Sequence, residues 1–171
     1  MDRSSPFSAL LKFGLLEPLM SRRLVVTATV LSLGLGIAVA HETHSKAEQA
    51  NAYRHGLYGA IAWNFGPLGG MAQGKVPFDK AEAATRAARV AALAEMLPEA
   101  FPEGSAIKGQ SEAKPAIWEH RAEFDALLKK FIMKTAALSD GAKTADLEKL
   151  KTLVSDTRAV CKECHDKFKE D

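Results

Sequence analysis

The sequence has no internal repeat, no low-complexity tract and few runs of β-branched residues. Its richness in alanine, leucine, lysine and glutamate is the composition of an all-α chain. No basic stripe interleaves with aromatics, so nothing points to nucleic acid. The small positive excess belongs to one end. Residues 1–40 hold four of the 23 lysines and arginines and two of the 21 acidic residues. The 131 residues that follow carry 19 of each sign and no formal net charge. That length makes one ordinary domain with a single core. Cysteine occurs twice, at 161 and 164, and no second C-x-x-C accompanies the pair.

A long apolar run occurs at one place. Leu24 to Ala40 is uncharged, follows the basic head Met20-Ser21-Arg22-Arg23 and ends Ala38-Val39-Ala40. Basic head, apolar stretch and A-x-A ending make a secretory signal peptide, with cleavage expected after Ala40. An uncleaved anchor is the alternative, because seventeen apolar residues reach the lower limit for a membrane span. The small-residue ending, with Gly34 and Gly36, favours cleavage. Met20 is a better-placed start than Met1 for such a leader. The expected organisation is a leader over 1–40 and one domain over 41–171.

What stands near the C-terminus is Cys161-Lys162-Glu163-Cys164-His165. C-x-x-C-H is the pattern of c-type haem attachment. Each thiol adds to one porphyrin vinyl group as a thioether, and the neighbouring imidazole reaches the iron. On a helix, positions 161, 164 and 165 fall within about one turn, so the three side chains point the same way. Two alternatives stand beside haem. Structural zinc would need two further ligands, from among His41, His44, His55 and His120. A thioredoxin-like redox pair sits after a strand at a helix N-terminus, whereas this one follows a long helical pattern. A disulfide within one helix would have poor geometry. The spacing favours haem, and haem attachment makes a bacterial periplasm the fitting destination.

Residues 41–171 read as four amphipathic helices. The first is expected from about Ser45 to Phe65, with Ala50, Tyr53, Leu57, Ile61 and Phe65 on one face. Gly66-Pro67 and Gly69-Gly70 should end it or fray its last turn. Asp79, with Glu82 three residues on, opens the second in a capping-box-like arrangement. Pro98 closes it near Leu97. Residues 98–114 have no period and form the longest connection, a candidate crossover passing over the haem. Pro115 suits the first turn of the third helix. Its stripe is Ile117, Phe124, Leu128, Phe131, Thr135 and Leu138, stopped by Ser139-Asp140-Gly141. Thr144 is expected to cap the fourth, with Leu147, Leu150, Val154, Cys161, Cys164 and Phe168 inward. Trp118 is expected in the core or at the haem edge. Short links make these an antiparallel up-down four-helix bundle with covalently attached haem near the C-terminus.

With these residues in order, the chain resembles the cytochrome c′ family (class II c-type cytochromes), itself a usual example of this bundle. The resemblance covers nearly all of 45–171. It rests on Tyr53-Arg54, Phe65-Gly66, the run Gly74-Lys75-Val76-Pro77-Phe78-Asp79, Lys114-Pro115-Ala116-Ile117-Trp118 and the terminal Cys161–His165 motif. It implies a periplasmic, usually homodimeric bundle carrying one haem c, with five-coordinate high-spin iron whose free face admits nitric oxide or carbon monoxide. By position, Cys161 and Cys164 would make the thioethers and His165 the axial bond. Arg54 would lie near the haem propionates, where a guanidinium suits carboxylates; the alternative is a solvated helix-face charge. Tyr58 would cover the distal face, with core or dimer packing as its alternative. Low-spin relatives place methionine there as a sixth ligand; this chain does not. His55 is expected at the haem edge or the surface. Lys169 departs from the family, which often has a proximal arginine at that position, and lysine lacks the planar fork.

The resemblance therefore implies a gas-binding haem protein, with nitric oxide sequestration leading. An electron carrier serving a periplasmic redox partner is the rival. An enzyme such as a peroxidase lacks a distal His/Arg pair to assist O–O cleavage. A membrane would be met only through an uncleaved leader.

Overall fold

A capping box opens the first helix. In the computed structural model, which describes residues 45–107 and 109–170, Ser45 Oγ accepts from the Glu48 amide and Glu48 accepts from the Ser45 amide. The leader, its cleavage site, His41 and His44 lie outside the described residues. Helix α1 spans Lys46–Ala72 and does not end at Phe65 as expected. Pro67 lies inside it and removes the hydrogen bond to the Trp63 carbonyl; Arg86 Nη1 donates to that carbonyl at 3.3 Å. An interior proline costs about 3 kcal/mol. Leu68 and Met71 beyond it are fully buried, and burial of two such side chains contributes roughly 3–6 kcal/mol. Burial wins, and the helix continues.

Helix α2 spans Lys80–Glu95, with Asp79 accepting from the Glu82 amide at 2.9 Å. Pro98 then lies within a 3₁₀ turn, Leu97–Ala100. The expected third helix is two pieces, α3 Ala116–Glu119 and α4 Arg121–Ala142, parted at His120 (φ −117°, ψ 44°). Gly141 falls one residue short of the end of α4, close to the expected stop. It lies in the last turn, where a Cβ would come within 2.6 Å of Leu153 Cδ1, so glycine permits a close approach to the next helix. Helix α5 spans Leu147–Phe168. Its cap is Asp146, accepting from the Lys149 amide at 2.8 Å, and not Thr144.

The long helices pack in a ring, α1 on α2, α2 on α4, α4 on α5 and α5 on α1. Their directions follow from which ends share a core. Leu68 and Met71 at the end of α1 meet Ala83 and Ala87 at the start of α2, Leu138 and Ala142 at the end of α4, and Leu150 and Val154 at the start of α5. The opposite ends form the second cluster, with Leu57 and Ile61, Val90 and Ala94, Phe124 and Phe131, and Val160 and Phe168. This is the expected antiparallel four-helix bundle. Cys161 and Cys164 pack against the second, aromatic-rich cluster.

The long connection is tied at both ends. Arg54, 4% exposed, donates through Nη1 to Ala100 O (3.0 Å) and Ser105 Oγ (2.8 Å), and through Nη2 to Ser105 O (2.8 Å). Trp118 Nε1 donates to Pro102 O at 3.0 Å. Further on, Ala113 and Lys169 form an isolated antiparallel bridge, with Lys114 N donating to Phe168 O and Glu170 N to Glu112 O. The connection thus straps the start of α1 to the end of α5.

Two stability predictions follow from these ties. Asp146→Ala should cost about 1 kcal/mol, the usual loss for an N-cap, while Thr144→Ala should stay within about 0.5 kcal/mol; urea denaturation of the two variants separates the caps. Arg54→Leu leaves the Ala100 and Ser105 carbonyls without donors and should cost about 3 kcal/mol. Arg54→Lys should not restore it, because lysine cannot fork; the same denaturation curves report both.

Candidate haem site

The last two turns of α5 carry Cys161, Cys164 and His165 to the edge of a cavity of about 1120 Å³. That exceeds the roughly 300–1,000 Å³ of most small-molecule sites. All five residues singled out in the sequence, Cys161, Cys164, His165, Arg54 and Tyr58, line this one cavity. Its apolar walls include Ile61, Phe65, Phe124, Leu128, Phe131 and Val160. Polar groups come from the start of α1 and from the strap, among them Asn51, His55 and Gln110.

The two thiols are half-buried and not joined to each other. Burial pushes the Cys161 thiol up, and pushes Cys164 up to about 11, with Cys161 and Glu163 adding to the effect. A redox pair of the thioredoxin kind needs the opposite shift. Zinc fares no better: no group of three metal-ligating side chains exists among the described residues. Desolvation and then Lys169 hold the His165 imidazole below its ordinary value, against Glu112 and Asp166. Neutral imidazole is the form that binds a metal.

Tyr58 borders the cavity and is 36% exposed there. Desolvation raises its hydroxyl pKa, helped by Cys164 and Cys161 and opposed by Arg54, so the phenol lies within electrostatic reach of the thiols and stays protonated at neutral pH. Its ring meets Phe101 edge-on at 6.4 Å.

Arg54 is no solvated surface charge: it is buried, and desolvation lowers its pKa. Its terminal nitrogens are largely given to Ala100 and Ser105, with Asn51 and Ser111 oxygens at 3.5 Å. Yet no carboxylate among the described residues pairs with it. His55 is exposed at the cavity rim, and Lys169 closes α5, its Nζ 3.3 Å from Glu112 Oε2.

The donor set fits haem c. Two thiols and an imidazole share one stretch of helix, the walls are apolar and aromatic, and a buried guanidinium lacks a carboxylate. Sequence reasoning missed Ser105 and Phe101. Both lie in the stretch without periodicity, where no pattern could mark them as inward-facing.

Comparison with known proteins agrees. Residues 49–169 match the family described as Cytochrome C′. Cytochrome c′ from Rubrivivax gelatinosus is 41% identical over 125 residues, which cover 73% of this chain and 97% of that protein. Among solved structures, cytochrome c prime from Shewanella frigidimarina superposes with a TM-score of 0.71 at 41% identity, over 75% of this chain and 99% of the other. A nitric oxide complex of a variant cytochrome c prime from Alcaligenes xylosoxidans does so with a TM-score of 0.69 at 29% identity, over 75% and 98%. The chain therefore belongs to the cytochrome c′ family and binds haem c covalently.

Proposed function

We propose that this chain is a periplasmic gas-binding haem protein that takes up nitric oxide or carbon monoxide and serves to sequester nitric oxide. Cys161 and Cys164 would carry the thioethers, His165 would ligate the iron, and Arg54 would offer its remaining donor capacity to a propionate. The observation that carries this reading is the cavity lining. Among the described residues that line it there is no methionine and, apart from His165, one histidine, His55, which sits at the exposed rim beside Arg54. Among the described residues, the cavity therefore offers no methionine and no second buried histidine as a further ligand to the haem it would hold. The iron, when bound, supplies an open coordination position. Tyr58, Ile61, Phe124 and Phe131 keep its surroundings apolar, which favours small uncharged diatomics over ligands that need several hydrogen bonds. The nitric oxide complex of the Alcaligenes xylosoxidans variant supports the same reading.

Catalysis is not part of this proposal. Arg54 and His55 are neighbours at the cavity, but the guanidinium is committed to Ala100 and Ser105, so no His/Arg pair is free to assist O–O cleavage. Electron transfer is the second reading, because the iron of a c-type haem can cycle between its ferric and ferrous states. The periplasmic address rests on the leader sequence; among the described residues no helix is long and apolar enough to cross a membrane. A homodimer is supported by α1. Trp63 is 76% exposed, on a helix face it shares with Gly56, Gly59 and Gly66, none of which has a neighbour within Cβ reach.

Resonance Raman spectra of the holoprotein should report five-coordinate high-spin iron that binds nitric oxide, and Tyr58→Met should turn the iron towards six-coordinate low spin. A low-spin native spectrum would favour the electron carrier. Trp63→Glu should convert the dimer to monomer in sedimentation experiments without changing the haem spectrum.

A further inference from the structure

Phe101 belongs to no helix, yet it is 3% exposed and held from every side. The carbonyl before it accepts from Arg54, and its own carbonyl accepts from Arg121 Nη1 at 2.8 Å. Its ring lies 5.1 Å from the Arg54 guanidinium carbon. It packs edge-on against Phe124 at 4.7 Å and meets Tyr58 edge-on at 6.4 Å, with planes at 68°. Phe124 in turn meets Phe168 at 5.5 Å and 90°. Four rings, Tyr58, Phe101, Phe124 and Phe168, therefore run along the cavity from α1 to the end of α5. No hydrogen bond to a described residue holds the Tyr58 hydroxyl. The directional contact of its side chain is the ring of Phe101.

We propose that Phe101 is a positioning residue. Fixed by Arg54 and Arg121, it sets the orientation of the Tyr58 ring and with it the opening through which a diatomic gas reaches the iron. This rests on the reading of Tyr58 as the distal cover. The side chain best able to gate the iron is thus set from outside the helices, by a loop residue that two arginines anchor. Edge-to-face contacts are strong enough to shift a side-chain population by about two- to tenfold.

The chain has two tyrosines, Tyr53 and Tyr58, so tyrosine-selective ¹³C NMR of the ferric holoprotein gives two sets of ring signals. Tyr58 should carry the larger paramagnetic shift. Phe101→Leu should move that signal and leave Tyr53 in place, and Phe101→Tyr, which keeps the ring, should restore it. Carbon monoxide association with the ferrous protein should change about two- to tenfold in Phe101→Leu when Tyr58 is present, and not at all in a Tyr58→Ala background. An unmoved Tyr58 signal, or an equal rate change in both backgrounds, overturns the positioning role while leaving the distal reading intact. A Tyr58 shift no larger than that of Tyr53 removes the distal reading, and this inference with it.

Discussion

A guanidinium without a carboxylate holds the haem end of this bundle together. A buried positive charge is costly, and here the cost is met by carbonyl and hydroxyl dipoles and by two aromatic faces, Phe101 at 5.1 Å and Trp118 at 5.7 Å. The arrangement has a structural use and leaves a functional opening. By drawing Ala100 and Ser105 inward, Arg54 turns a seventeen-residue connection without periodicity into a cavity wall. Because no carboxylate among the described residues neutralises its charge, it also favours an acidic group arriving with the cofactor. Remove the arginine, and the strap loses its hold on α1 while the cavity loses a buried cation.

The rest of the bundle shows tertiary burial overriding local signals. The Gly66-Pro67 and Gly69-Gly70 pairs read as a helix end, but Leu68 and Met71 are buried in the core at the opposite end of the bundle from the cysteines, and Arg86 takes over the carbonyl that Pro67 leaves free. Ser139-Asp140-Gly141 read as a stop, and α4 does end at Ala142, but Gly141 also lets the Leu153 side chain of α5 come close, where an added Cβ would have to displace its Cδ1. In both places the glycine or proline was legible and its purpose was not, because the purpose lies in a neighbouring helix. Thr144 and Asp146 illustrate a finer limit. Either residue type caps a helix, and a register of two residues decided between them.

The attachment motif was legible because its chemistry is local: two thiols and an imidazole within five residues need no fold to be recognised. The four long helices and their inward stripes were legible for a similar reason, since period and composition repeat over many residues; the break at His120 that parts α3 from α4 was not. Arg54 and Tyr58 came from the family resemblance, and the structure brings both to the same cavity as the cysteines. What the sequence hid is how they are held. Ser105, Phe101 and the Ala113–Lys169 bridge are long-range partners from an irregular stretch, and long-range partners leave no spacing to read.

The raised thiol pKa values bear on the order of events during synthesis. Thiolate is the reactive form of cysteine, and seating α5 in the finished bundle suppresses it at both positions. The same two cysteines are more reactive on a chain whose α5 has not yet packed against the aromatic cluster. A bundle that closed early would half-bury the sulfurs to which its cofactor is joined.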